Sequence, residues 1–270
     1  MPFFKTQNKF CQAGTSYWFS SGYEPEAYDL FARMSMTPST ELKRLISLTI
    51  KRLKGADIWN YLDCYQSYNL HTSQASLLNW KQDKYNATII NSPTWQKYIG
   101  FTGDGLTNYI NTGFNPYNTG ALFSQNNALF GVTTTGSDIT YGAHGVRAPY
   151  VPNYNTWIAR ASFNMYFALN SGWTNIFSNY FNKHIVLERN NSTSFTLYVD
   201  KDSSTRNIGT TEVLNYNLYV LAENNIGNAE NLSTETAKQF FVGNYLGASK
   251  VEEFQDIINN FNYHVQFIRK

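Results

Sequence analysis

The sequence predicts a mainly β, antiparallel sandwich with an N-terminal arm and helix before it and a helix near its end. Three observations predict this. From Ile58 onward, short runs rich in Val, Ile, Thr, Tyr and Phe are separated by clusters of Asn, Gly, Ser and Asp at fairly even spacing. Strands and helices do not alternate, which argues against a parallel sheet. The stretch 94–116 reads as strand, turn and strand: Tyr98 and Phe101 lead into Gly103-Asp104-Gly105, and Leu106, Tyr109 and Ile110 lead out to Asn111-Thr112-Gly113. The Asp-Gly pair supplies the φ > 0 conformation that a hairpin needs.

The elements follow in chain order, in three parts: an arm over 1–24, a helical segment over 25–61 and the sandwich over 62–270. The arm lacks periodicity but carries Phe3, Phe4, Phe10, Tyr17, Trp18 and Phe19. So aromatic a segment must lie on the body of the protein or on a partner. In the helical segment, 26–34 is a short helix with Tyr28, Leu30 and Phe31 packed. The stretch 37–54 is the clearest helix, with Thr37 as N-cap, Pro38 at the first helical position and Gly55 as C-cap. Leu42, Leu45, Ile46, Ile50 and Leu53 fall on one face of it. The cations Lys43, Arg44, Lys51, Arg52 and Lys54 fill the others as a solvated face.

Within the sandwich, 72–80 is a helical turn. Strands are expected at 63–70, 87–90, 98–101, 107–112, 128–134, 138–142, 157–169, 183–189, 194–199 and 217–222. A helix over 250–261 carries Val251, Phe254, Ile257, Ile258 and Phe261 as its buried stripe, and 265–268 is expected as a closing strand.

Composition narrows the function. The net charge is +2 and only 15% of residues are charged, so no concentrated basic face for nucleic acid is expected. No apolar run approaches the ~20 residues that span a bilayer, so no membrane partner is expected. The N-terminus has no basic region followed by an apolar core, so no signal peptide is expected. Cys11 and Cys64 do not make a disulfide framework, and reduced thiols are expected. Aromatics reach 17% and the turns are rich in Asn, a balance common in extracellular binding modules and virion parts.

No catalytic constellation, cofactor motif or metal site emerges. Glycoside hydrolysis needs two facing carboxylates, yet Glu188 stands alone and Glu252-Glu253 lies on a predicted helix. His71, His144, His184 and His264 are scattered without metal-ligand spacing. Gly103-Asp104-Gly105 is explained by a turn, since calcium needs several more oxygen ligands. Sugar recognition needs an aromatic plate beside polar groups. The candidates are Tyr141, His144, Arg147, Tyr150 and Tyr154, on a Gly- and Pro-punctuated stretch read as a long loop up to Trp157, and also Trp173. Trp157, at the start of a predicted strand, is expected in the core.

Three pieces together resemble the concanavalin A-like, laminin-G-like jelly-roll domain. They are Leu78-Asn79-Trp80 leading to Asn91-Ser92-Pro93, Gly100 to Gly105 followed by Tyr109 to Phe114, and His184 to Arg189 followed by Phe195 to Asp200. The last resembles the family's central hairpin, with Lys201 in place of its usual glycine. A closer resemblance, over residues 28 to 270, is to the version found in bacteriophage structural proteins. There a helical segment like Thr37 to Leu53 precedes the sandwich and a helix like Phe254 to Tyr263 ends it. The resemblance implies a non-enzymatic virion component, such as a head fibre, tail fibre or decoration protein, assembled in the host cytoplasm. In that reading the arm docks on other virion proteins, the chain is a homo-oligomer with a trimer preferred over a dimer, and the sandwich meets a host surface glycan. The alternative is a secreted bacterial carbohydrate-binding module or glycoside hydrolase of the same fold.

Overall fold

A computed structural model of the chain describes residues 22–136, 141–148, 154–161, 164–177 and 184–268. The aromatic arm residues Phe3, Phe4, Phe10, Tyr17, Trp18 and Phe19 lie outside the described residues, and so does Tyr150.

Two helices open the described chain, α1 (Pro25–Ala32) and α2 (Thr40–Gly55). The expected apolar stripe is buried: Leu42, Ile46, Ile50 and Leu53 all face the interior. The expected caps are displaced. Ser39, not Thr37, caps α2, its hydroxyl accepting from the Leu42 N–H at 3.3 Å, and Gly55 is the last helical residue. The left-handed position falls on Asp57 at φ 51. Ile58 N–H donates to the Leu53 carbonyl at 2.9 Å and Asp57 N–H to that of Lys54 at 3.0 Å, a six-to-one and five-to-two pair that closes the helix. Cations of the basic faces are engaged: Lys54 reaches Glu24 at 2.9 Å and Glu26 at 3.0 Å, and Lys43 lies 5.9 Å over the Phe31 ring.

The strands and remaining helices follow in order: β1 (Leu62–Ser67), α3 (Ser73–Ser76), β2 (Thr88–Ile90), β3 (Thr94–Gln96), β4 (Gly100–Thr102), β5 (Tyr109–Asn111), β6 (Ala128–Thr135), β7 (Tyr141–Ala148), β8 (Tyr154–Ala161), β9 (Asn164–Leu169), β10 (Thr174–Phe177), β11 (His184–Arg189), β12 (Phe195–Val199), β13 (Asp202–Arg206), β14 (Tyr219–Val220), β15 (Glu223–Asn225), β16 (Asn228–Glu230), β17 (Thr236–Gly243) and α4 (Ala248–Val265). They form two sheets. The first runs β13-β12-β11-β6-β17-β4-β3, with β1 also on β17. The second runs β10-β9-β8-β7-β14-β5-β2, with the β15–β16 hairpin attached to β7. Pairing is antiparallel except for β15, which runs parallel to β7.

The sheets face one another as a sandwich. Phe130, Val132, Ile185, Leu187, Phe240 and Val242 of the first sheet and Val146, Ile158, Phe167 and Val220 of the second share one buried core. Intervening residues of the first sheet, including Leu129, Val186, Tyr198 and Phe241, share a second core with Leu30 of α1, Ile46 and Ile50 of α2 and Phe254 and Ile258 of α4. The predicted mainly β sandwich with helices before and after it is therefore what forms.

Four local expectations are corrected. Gly103-Asp104-Gly105 does not close a hairpin, because β4 belongs to the first sheet and β5 to the second. The Asp104 carboxylate instead accepts N–H groups from Leu106, Thr107 and Asn108, a local cap that carries the chain across the sandwich. The single strand expected at 157–169 is two antiparallel strands, β8 and β9. The closing strand expected at 265–268 does not form: α4 extends to Val265 and ends in a turn. The loop expected between Tyr141 and Trp157 is largely strand, with β7 paired to β8 from Tyr141↔Ala161 to Ala148↔Tyr154. The hairpin of β11 and β12 stands as expected. The chain turns next at Asp200-Lys201, where Asp200 rather than a glycine takes φ 51.

Candidate functional site

The outer face of the second sheet gathers what a sugar would need. Side chains alternate across a strand, so one row of the ladder places one residue of each strand at the same height. Tyr219 of β14 lies beside Gly145 of β7, Gly145 beside Trp157 of β8, and Trp157 beside Ala168 of β9. Trp173 directly precedes Thr174, the partner of Phe167, and so continues the row past Ala168. The row thus reads Tyr219, Gly145, Trp157, Ala168, Trp173, with small residues on both sides of the central indole. The ring of Tyr166, two positions from Ala168 on the same face, lies 5.4 Å from Trp173, edge to face, and 6.3 Å from Trp157. At the other end Tyr109 of β5 lies 4.6 Å from Tyr219. Burial, first, and the neighbouring Tyr109 raise the Tyr219 phenol to about 12. The row spans four strand spacings, about 19 Å at the usual inter-strand distance. Exposure rises along it, from Trp157 at 4% to Trp173 at 51%.

Gly145 is required by this geometry. Its φ is +119, and a Cβ there would sit 2.1 Å from the Thr156 carbonyl oxygen, a distance no side chain adopts.

Beside the row lies a charged cluster. Arg147 Nη2 is 2.9 Å from Glu223 Oε1 and 3.7 Å from Glu230 Oε2. Those two glutamates are direct cross-strand partners on β15 and β16. Asn231 Nδ2 donates to the same Glu223 oxygen at 2.6 Å. Burial raises the Glu223 carboxyl above its ordinary value, and the Arg147 charge and the Asn231 hydrogen bond oppose the rise. The guanidinium lies 5.8 Å over the Trp157 ring, within reach of a cation–π contact. Two carboxylates meet one guanidinium, so Arg147 offers no spare positive charge to an acidic ligand. Its role in this geometry is to hold the indole.

The sequence-predicted sugar residues separate. Arg147 lies on the outer face of β7, and Tyr141 is the first residue of that strand. Tyr154 begins β8. The side chains of Tyr141 and Tyr154 lie outside the described residues, as does all of Tyr150. His144 points the other way and is not a surface candidate. It is buried at 2% exposure, its Nδ1 accepting from Leu221 N–H at 3.1 Å and its Nε2 facing Glu235 Oε2 at 2.9 Å. Trp157 is buried as expected, but on the outer face rather than in the core between the sheets. The residues missed were Tyr219, Tyr166, Glu223 and Glu230. For Tyr166 the signal was its period-two spacing from Ala168, hidden because 157–169 reads as one continuous strand.

Elsewhere the buried polar groups are structural. Glu188 accepts the Tyr198 hydroxyl at 2.6 Å and the N–H groups of Leu246 and Gly247 at 3.3 and 3.1 Å, at the entry to α4. Among the described residues no three His, Cys, Asp or Glu side chains converge as a metal site, and no helix is long and apolar enough to cross a membrane. Cys64 is a buried free thiol.

No family model matches the chain, and no curated protein sequence matches it. Solved structures do. A mutant of Trypanosoma rangeli sialidase displaying trans-sialidase activity superposes with a TM-score of 0.54 at 12% identity, over 81% of this chain and 39% of that one. The receptor binding domain of botulinum neurotoxin mosaic serotype C/D superposes with a TM-score of 0.51 at 12% identity, over 74% of this chain and 51% of that one. The chain thus spans about two fifths to one half of the proteins it resembles. At these identities the likeness concerns the fold: this chain is a two-sheet β-sandwich with flanking helices, of the kind those proteins contain.

Proposed function

We propose that this protein is a non-enzymatic glycan-binding component of a phage virion, with neutral sugar rings lying along the outer face of the second sheet. The observation that carries the binding reading is the row Tyr219, Gly145, Trp157, Ala168, Trp173. Aromatic plates alternate there with small residues, and the guanidinium beside them is already met by two carboxylates. A sugar ring can stack its apolar face on the half-exposed Trp173 and use neighbouring amides for its hydroxyls, with the buried Trp157 and Tyr219 backing that surface. Asn164 and Asn175, whose side chains meet at 3.4 Å beside Tyr166, provide amides on the same face. The virion reading is supported by the order of parts, an aromatic arm, a helix, a sandwich and a closing helix, as in phage structural proteins. In this reading the arm docks on other virion proteins, the assembled form is a homo-oligomer, preferably a trimer, and the particle is built in the host cytoplasm.

The test of binding is Trp173→Ala, assayed against host cells and a panel of neutral glycans. We expect about tenfold weaker binding with an unchanged melting temperature, because half of this side chain faces solvent. Binding equal to the parent would remove the site. Docking is tested by deleting residues 1–21. The cut spares Tyr23 and Glu24, which pack against Phe31 and reach Lys54. The deleted protein is expected to fold but to stay out of particles, and normal incorporation would refute the arm's role.

The absence of catalysis is likewise a proposal. Glu223 is fully buried behind Arg147, out of reach of a glycosidic oxygen that a general acid must touch. A broad polysaccharide panel should yield no released sugar. Turnover that disappears in Glu223→Gln would overturn the non-enzymatic reading in favour of the hydrolase alternative.

A further inference from the structure

The first sheet carries a cleft, away from the aromatic row, at an irregularity in its central strand. Strand β17 carries one extra residue there. Ala237 pairs with Thr134 of β6 and Gln239 with Thr133, so Lys238 is left over as a bulge. On its other edge β17 passes from β4 at Ala237 to β1 at Gln239. Between those pairings the Lys238 carbonyl accepts from Tyr68 N–H at 2.7 Å. A bulge re-aims a side chain. Lys238 here lines an open cleft of about 680 Å³, with Asn69, Tyr98, Thr135, Gln266 and Phe267 around it.

Three features distinguish this cleft from an ordinary surface recess. The Lys238 side chain is half-buried, yet its ammonium meets no carboxylate or other acceptor among the described residues, and burial alone holds it below the ordinary lysine value. A desolvated charge without a partner is costly. Tyr98 adopts φ 62, a left-handed conformation rare for a bulky residue and often retained where function needs it. Lys97 sits 4.9 Å over the Tyr98 ring and adds a second positive charge nearby. The polar floor is fixed from behind: Asn69 Nδ2 donates to Asn262 Oδ1 at 2.9 Å, and Asn262 Nδ2 donates to Gln239 Oε1 at 3.1 Å.

We propose that this cleft binds a sugar ring bearing a carboxylate. The Lys238 ammonium meets the carboxylate, the half-exposed Phe267 ring covers the apolar face of the sugar, and Gln266 and Thr135 serve its hydroxyls. This differs in charge from the neutral row on the second sheet, so the two sites fail or succeed separately.

The experiment is calorimetric titration of the full chain with glucuronate and, separately, with glucose. Glucuronate is expected to bind at least about tenfold more tightly than glucose, the usual margin of one charge-assisted hydrogen bond. Lys238→Met should lose that margin, Lys238→Arg should keep most of it, and Trp173→Ala should leave it untouched. Glucuronate that does not bind, glucose that displaces bound glucuronate at equal concentration, or an unchanged glucuronate affinity in Lys238→Met would each overturn the proposal. Should Lys238→Met fail to fold, backbone chemical shifts of the parent protein on adding glucuronate decide. Shifts centred on Lys238, Gln266 and Phe267 support the cleft, and shifts elsewhere or none refute it.

Discussion

Asp104 and Glu188 show how one residue type takes opposite roles in this chain. Asp104 is exposed, and its carboxylate accepts three backbone N–H groups and the Thr107 hydroxyl. Those bonds favour the charged form and hold its carboxyl far below the ordinary 3.8. A depressed value contributes stability above the unfolded value that is lost as pH falls through the folded one. We therefore expect Asp104→Ala to lower the melting temperature at neutral pH, with the gap to the parent closing as pH drops below 3.8. A gap independent of pH would show that the carboxylate charge is not what caps this turn. Glu188 runs the other way. Burial raises its carboxyl above the ordinary 4.5, only partly offset by the Tyr198 hydroxyl and the Gly247 and Leu246 amides. A raised value contributes stability in acid that is lost as pH climbs from 4.5 through the folded value. The parent should thus lose stability over that rise, and Glu188→Gln, which keeps the volume but cannot ionise, should lose less. Parallel pH curves for the two proteins would count against this account. Neither role was readable from the sequence. Asp104 beside glycines resembles a hairpin turn, and the partners of Glu188 lie 10 to 59 positions away. His144 was misplaced for a related reason: Gly142, Ala143 and Gly145 around it have too little bulk to show which face is inward.

Strand reading did not follow exposure: β6 and β11, buried on both faces, were expected almost at full length, while the more exposed β3 and β13 were not. Strand β17 escaped notice although it lies at the centre of the first sheet. Phe240 and Val242 face the sandwich core while Phe241 faces the helices, so apolar residues run without alternation. The bulge at Lys238 then shifts what period remains. Strands β8 and β9 merged into one because the residues between Ala161 and Asn164 include neither Gly nor Pro to mark the turn. The helices were found almost at full length, because their 3.6-residue stripes persist whatever packs on them. By contrast, only Trp173 of the aromatic row, and Arg147 beside it, were read as candidates for the site. The row's five members come from five separate strands or strand ends and meet only through ladder register. Gly145 is the part of it that admits a direct test. The Cβ of Gly145→Ala would run into the backbone of β8, so we expect roughly 1–3 kcal/mol of lost stability and a displaced Trp157. Denaturant melts measure the first, and indole fluorescence measures the second. A variant as stable as the parent, with unchanged fluorescence, would mean that the row does not depend on the close approach of β7 and β8.

Among the described residues, two cores share the first sheet. Residues of β6, β11, β12 and β17 face the second sheet and the helices in turn, so neither core can lose its wall without damaging the other. Phe240 and Phe241 make this concrete, since they are adjacent on β17 and both are fully buried on opposite faces. Phe240 packs 6.3 Å from Phe130 in the sandwich, and Phe241 packs 4.6 Å from Phe254 of α4. Phe241 also fills the space over Gly131, where a Cβ would lie 2.2 Å from its ring. If the helices were a separate domain resting on the sandwich, Phe241→Ala would release α2 and α4 first and leave a folded sandwich behind. Shared walls predict otherwise. Phe240→Ala and Phe241→Ala should each cost roughly 3–5 kcal/mol and each move a single cooperative transition. Far-UV circular dichroism, dominated by the helices, and tryptophan fluorescence, which includes Trp157 and Trp173 of the second sheet, should then trace the same denaturant curve. Two transitions in Phe241→Ala, with the circular dichroism signal lost before the fluorescence of the second sheet, would show instead that the helices fold on a sandwich already complete without them.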